Sequence, residues 1–231
     1  MIFPPNNFTP KYLSHVKNWH GHVSFAHDIV MLLKPKVIVE LGVHYGDSYF
    51  TFCQTVDELE LDCNCFGVDS WTGDEHTGYY DPNVYDLVKE ENIKYNKFSN
   101  LIKCSFSNAL DQFDDGSIDL LHLDGCHTYE AVSCDFHEWK SKVRSNGIIL
   151  FHDVSIQRED FGVYKFWEEI TPKYPTVMFS HSCGLGVVEN SLNADSFSID
   201  FLNSPNEDFG EYYELLSKRA ILDNQIKSFL E

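Results

Sequence analysis

Apolar runs alternate along this chain with stretches of helical periodicity. Residues 37–39 are continuous and β-branched, the pattern of a central parallel strand buried on both faces. Apolar runs at 63–69, 101–105 and 117–123 predict three more strands, and a fifth follows Gly147 and ends in His152-Asp153. Helices are predicted between them at 47–56 and 84–95. Another opens near Thr128, where Tyr129, Val132, Phe136, Trp139 and Val143 recur at 3–4 spacing. A further helix carries Val163, Phe166, Trp167 and Ile170 on one side. Residues 176–179 and 185–188 then read as an antiparallel hairpin around a Gly-containing turn. Strand and helix in alternation predict an α/β fold, a Rossmann-like doubly wound sheet with helices on both faces.

The ends have a different pattern. Residues 1–11, with adjacent prolines, read as an arm, and 12–33 as two helical pieces in which Phe25, Ile29, Leu32 and Leu33 share a face and Pro35 marks the stop. Residues 190–208 are polar and acidic, a loop or linker. A last amphipathic helix at 209–229 places Tyr212, Leu215, Leu216, Leu222, Ile226 and Phe229 near one face, to dock on the domain or on a second copy. The expected division is an arm with helices (1–33), a core (34–190), and a linker with the C-terminal helix (191–231). A homo-oligomer would form through the N- or C-terminal helices.

Composition narrows the function classes. A length of 231 residues suits one sizeable α/β domain with additions. The formal charge of −19, from 17 Lys+Arg against 36 Asp+Glu, repels phosphate backbones and anionic lipid, so neither nucleic acid nor membrane is expected as a partner. Seven cysteines form an odd count with no C-x-x-C pair and read as reduced thiols. The first residues lack a signal-peptide pattern, and no apolar run nears the roughly 18 residues of a membrane span; a soluble cytoplasmic protein is the expectation. His15, His20, His22 and His27 crowd around Trp19, but their spacing matches no metal-ligand pattern and they read as surface and packing groups.

The candidate chemistry sits at strand tips. After the first strand comes E-L-G-V-H-Y-G-D-S: Glu40, a turn bracketed by Gly42 and Gly46, then Ser48, which with Asp47 is placed to cap the next helix. The turn is not G-x-G-x-x-G, which weakens a nicotinamide dehydrogenase reading. The second strand ends in Asp69-Ser70, and an acid there can accept both ribose hydroxyls of an adenosine. The Gly/Asp/Tyr-rich loop 71–82 is long enough for a binding role, with Trp71 flanking a cofactor and His76, Tyr79 and Tyr80 facing substrate, or all four only packing the loop. The fourth strand opens into D-G-C-H-T-Y and the fifth into H-D, so Asp124, His127, His152 and Asp153 should converge over one crevice.

The order of these motifs, E-x-G-x-x-x-G, a strand ending in Asp, D-G-x-H-x-Y and a closing G-L-G-V-V strand, resembles the class I S-adenosylmethionine-dependent methyltransferases, in particular their small-molecule O-methyltransferase branch. The resemblance covers 24–189. It implies a seven-stranded sheet in the order 3-2-1-4-5-7-6 with strand 7 antiparallel, and methyl transfer to a hydroxyl of a small-molecule acceptor such as a sugar or natural product. It also implies S-adenosylmethionine contacts from Glu40, Gly42, Gly46, Ser48, Asp69, Ser70, Asp124 and, near the adenine, Ser105. Members that use a divalent ion such as Mg²⁺ take it from strand tips four and five, here Asp124, His152 and Asp153. An imidazole suits a transition metal better than Mg²⁺. His127 is the first choice for general base, with Asp124 orienting it or holding the metal that acidifies the acceptor hydroxyl, and His152 and Asp153 the next candidates. Two alternatives stay open: a metal-dependent hydroxylase on the same fold, with a two-His-one-carboxylate iron site, and a non-catalytic nucleotide-binding module.

Overall fold

The computed structural model describes residues 6–74, 76–191, 196–203 and 208–230. Seven strands form one sheet: β1 (Val37–Leu41), β2 (Asn64–Asp69), β3 (Ser99–Lys103), β4 (Ile118–Leu123), β5 (Val143–His152), β6 (Thr176–Phe179) and β7 (Leu185–Glu189). Their order across the sheet is 3-2-1-4-5-7-6, and β7 runs antiparallel to both its neighbours. The fold and strand order expected from the motif sequence are therefore those of the molecule. β1 to β5 run parallel because each is followed by a helical crossover, the one after β2 carrying α3 (Val84–Asn92) and the one after β3 carrying α4 (Phe106–Ala109).

Alternation along the strands divides the core in two. Ile38, Leu120, Ile148, Leu150 and Val187 face α1 (Val23–Leu33) and α2 (Asp47–Glu58), whereas Val39, Leu41, Leu121, Leu123, Ile149 and Phe151 face α5 (Tyr129–Trp139) and α6 (Val163–Ile170). The α5 stripe buries Val132, Phe136 and Trp139, and α6 buries all four of its expected apolar residues. Each such side chain contributes about 1.5–3 kcal/mol of hydrophobic stabilisation.

Four local expectations are corrected. Residues 12–19 are not helical; a single 3₁₀ turn (His20–His22) precedes α1, where Phe25 and Ile29 are buried but Leu32 is exposed. Ser48 and Asp47 do not cap α2. Gly46 is the N-cap at φ 90°, and both side chains are drawn off, Ser48 to Glu40 and Asp47 to Ser14 and His20. The stretch 190–208, expected to be a polar loop or linker, has a 3₁₀ turn (Asp200–Asn203) and buries Phe197 and Leu202; residues 192–195 and 204–207 lie outside the described ones. On the last helix, α7 (Asp208–Leu230), Phe209, Tyr213, Ser217 and Ala220 form the buried face, while Leu215, Leu222, Ile226 and Phe229 are exposed.

Arm and last helix are joined. Arg219 Nη2 donates to the Asn6 carbonyl at 2.7 Å and Asn224 Nδ2 to the Pro10 carbonyl at 2.6 Å. The buried Asp28 carboxylate on α1 accepts from Asn6 Nδ2 and from the Tyr213 hydroxyl, both at 2.8 Å. None of the described helices is long and apolar enough to cross a membrane.

Candidate active site

Two carboxylates organise the tips of β1 and β2. Glu40 is fully buried and stands opposite His122 in the parallel register of β1 and β4. Its Oε1 accepts the Ser48 hydroxyl at 2.8 Å, and its Oε2 lies 3.1 Å from His122 Nδ1. The donor-only Trp19 indole sits 3.3 Å from His122 Nε2, which fixes Nε2 as acceptor and leaves the Nδ1–H to donate to Glu40. Burial pushes the Glu40 carboxyl up, and the donors from His122 and Ser48 oppose that rise. Asp69 Oδ2 accepts the backbone N–H groups of Val43 and His44, each at 2.9 Å, and its Oδ1 accepts that of Trp71 at 2.6 Å. The β2 acid thus shapes the β1–α2 turn. At that turn Gly42 has φ 91°, and a Cβ there would stand 2.0 Å from the Asp124 carbonyl oxygen, so the residue must be glycine.

The tips of β4 and β5 carry charge of both signs. His152 Nδ1 lies 3.2 Å from Asp124 Oδ1 and 3.3 Å from Asp153 Oδ2, and its Nε2 lies 3.2 Å from the Ser182 carbonyl. His127 Nε2 is 2.8 Å from the same Asp153 Oδ2 and 4.0 Å from Asp124 Oδ1. Burial opposes charge on His152, but Asp124 and Asp153 outweigh it and hold its pKa well above the ordinary imidazole value. His127 follows the same balance: burial lowers it, Asp153, Asp124 and Asp74 raise it, and the net shift is upward. Burial would raise Asp153, yet the two imidazoles carry it below the usual carboxylate range. Phe161 stacks on His127 with ring centroids 4.8 Å apart and planes within 5°. His127 Nδ1 is shielded from water and has no protein partner among the described residues.

These groups border two adjoining cavities. The first, about 360 Å³, is walled by His127, His152 and Asp153 on one side, by the β1–α2 turn with Ser48, and by Trp19 and Asn18 of the arm. The second, about 220 Å³, is walled by Asp69, Ser70, Cys104, Ser105, Phe106 and Gly125. Gly42, Thr77, Tyr80 and Asp124 border both, so a ligand lying across the β1 tip would reach from one to the other. This is the crevice beyond the carboxyl ends of the strands where open α/β sheets bind ligands.

A family model described as a methyltransferase domain matches residues 39–154, half of the chain, from the first strand to just past the fifth strand tip. The chain belongs to that methyltransferase domain family. The uncharacterized protein y4gI of Sinorhizobium fredii is 41% identical to this methyltransferase domain chain over 179 residues, covering 78% of this chain and 20% of that protein. The chain therefore spans about a fifth of the length of the curated relative it matches. Among solved structures, the SAH-bound methyltransferase PaMTH1 of Podospora anserina has a TM-score of 0.56 at 17% identity, with 72% of this chain and 76% of that one covered. An O-methyltransferase from Bacillus cereus in complex with SAH has a TM-score of 0.56 at 13% identity, covering 77% and 82%. At such identities these likenesses speak for the fold.

Within the methyltransferase domain, Gly42, Ser48, Asp69, Ser70, Ser105 and Asp124 border the cavities, as do His127, His152 and Asp153. Glu40 and Gly46 do not: Glu40 lies beneath Ser48, and Gly46 packs under Phe50. Trp71 is turned into the protein, donating from Nε1 to the His44 carbonyl at 3.0 Å and packing on Tyr85, while Tyr79 points to solvent. His76 and Tyr80 reach the first cavity. Sequence reasoning missed His122, although a histidine inside an apolar strand beside a strand bearing a buried acid calls for a partner. It also missed Trp19 and Asn18, whose irregular arm carries no periodicity, and Arg158, which borders the first cavity and pairs with Asp160 at 2.9 Å.

Proposed function

We propose that the chain is an S-adenosylmethionine-dependent methyltransferase that methylates a hydroxyl of a small molecule. The observation that carries this reading is the meeting of a backbone-shaped β1–α2 turn with an acid–imidazole cluster across Gly42 and Asp124, inside a methyltransferase domain. Bound S-adenosylmethionine supplies a methyl group already activated on a sulfonium sulfur. Its ribose falls to Asp69, whose Oδ1 accepts one backbone N–H and keeps a lone pair free, with Ser70 beside it. Ser105 and Phe106 are placed for its base, and Gly42, Ser48 and Asp124 for the remainder.

The acceptor enters the first cavity, where polar and aromatic walls, Asn18, His44, Tyr45, Trp19 and Phe161, suit a hydroxylated ring such as a sugar. Holding that hydroxyl in line supplies most of the rate effect, since a positioned nucleophile replaces a bimolecular encounter. His127 removes the proton. Asp153 orients the ring through Nε2 and stabilises the imidazolium that forms.

A divalent ion at Asp124, His152 and Asp153 is a poorer reading. Their donor atoms lie within 4.8 Å of one another, but the set includes an imidazole that Mg²⁺ does not favour. The same imidazole nitrogen is spent between the two carboxylates, its proton standing where a cation would sit.

Calorimetric titration with S-adenosylmethionine tests the proposal. Micromolar binding to the full chain, lost in Asp69→Ala and unaffected by EDTA, is expected; absence of binding in the parent chain sinks it.

A further inference from the structure

A second set of ligating side chains, Asp74, His76 and Cys126, lies beside the strand-tip cluster. Asp74 and His76 belong to the loop between β2 and the next helix, where Gly73–Asp74 and Gly78–Tyr79 form a two-stranded ribbon. Cys126 belongs to the turn after β4. One donor atom from each of these three lies within 4.8 Å of the others. Asp74 is fixed in place, its Oδ1 accepting the N–H groups of His76 at 2.7 Å and Thr77 at 2.8 Å. The His76 side chain is only 6% exposed and its Nδ1 is buried with no hydrogen-bond partner. Cys126 is a free thiol. A buried imidazole nitrogen without a partner leaves its desolvation uncompensated, and such a group asks for a ligand.

We propose that Asp74, His76 and Cys126 bind a divalent transition cation of the zinc class. Mixed thiolate, imidazole and carboxylate donors exclude Mg²⁺ and Ca²⁺, which take oxygen, and suit Zn²⁺ with an open fourth position. Asp74 and Cys126 border the second cavity and His76 the first, so the ion sits at the seam between them and fastens the ribbon loop to the β4 turn. The inference stands on these three residues and does not depend on methyl transfer.

Titration of the full chain with Co²⁺ tests it, because a cobalt–thiolate bond gives a near-ultraviolet charge-transfer band. A single equivalent is expected to produce that band, and Zn²⁺ to abolish it by displacement. Cys126→Ser should lose the band, His76→Ala should weaken Co²⁺ binding by about tenfold or more, and Asp153→Asn, in the neighbouring cluster, should keep it. Alkylation mapping of the parent chain carries the same test without a substitution: Zn²⁺ should protect Cys126 from iodoacetamide. No thiolate band, a band that survives Cys126→Ser, or an unprotected Cys126 overturns the proposal.

Discussion

The two halves of the crevice use carboxylates in opposite ways. At the β1 and β2 tips, Glu40 and Asp69 face donors held by the fold: a hydroxyl, an imidazole N–H oriented by Trp19, and three backbone N–H groups. At the β4 and β5 tips, Asp124 and Asp153 face His127 and His152, whose protons can leave. The first half is a scaffold of fixed hydrogen bonds. The second is a titratable device, and in the proposed reaction the difference separates binding from chemistry across the residues that border both cavities, Gly42, Thr77, Tyr80 and Asp124.

Replacing His127 sharpens that contrast most. His127→Gln is expected to lower turnover by about 10²–10⁴-fold while leaving S-adenosylmethionine affinity in place. In the parent chain, the acidic limb of the pH–rate profile should lie above the ordinary imidazole value of 6.5, because the base must lose its proton and its pKa is raised. Loss of affinity in step with turnover would place His127 in the scaffold half.

Gly42→Ala breaks the seam itself. With a left-handed backbone and the Asp124 carbonyl 2.0 Å from the new methyl group, about 3 kcal/mol or more of stability should be lost, read by denaturant unfolding. An unchanged midpoint would show that the turn has room to shift.

A smaller effect lies behind the Gly125 turn, where a Cβ would stand 3.2 Å from Asp135 Oδ2. Burial, aided by Glu138, pushes the Asp135 carboxyl up from 3.8 to about 7. Its ionised form is favoured in the unfolded chain, so folding is penalised as pH rises above 3.8 and the penalty is complete above about 7. Asp135→Asn should therefore stabilise the fold by roughly 1–2 kcal/mol at pH 8, after allowance for partial exposure, and by nothing at pH 3. Thermal melts at both pH values check the sign.

Much of this was legible in the sequence because strand tips announce themselves: an apolar run that stops at an acid or histidine puts that residue at the rim. Glu40, Asp69, Asp124, His152 and Asp153 were found that way. Ser48 was misplaced as a cap because the pattern of a helix start cannot reveal that a buried acid eight residues earlier claims its hydroxyl. On α7, apolar residues occur all round the helix, so periodicity picked the exposed Leu215, Leu222 and Ile226, and tertiary packing chose Phe209, Tyr213 and Ala220. The arm's share in the first cavity left no trace, since irregular backbone has no period to read.

The bonds from Arg219 to Asn6 and from Asn224 to Pro10 close loops of 213 and 214 residues. Closing such a loop in an unfolded chain costs about 5 kcal/mol of chain entropy, a cost that falls once the sheet between its ends has formed. In kinetic terms, α7 is expected to dock last, after the strands have brought its partners together. A fluorophore on α7 should then report refolding later than the far-ultraviolet signal of the sheet, and coincident traces would contradict that order.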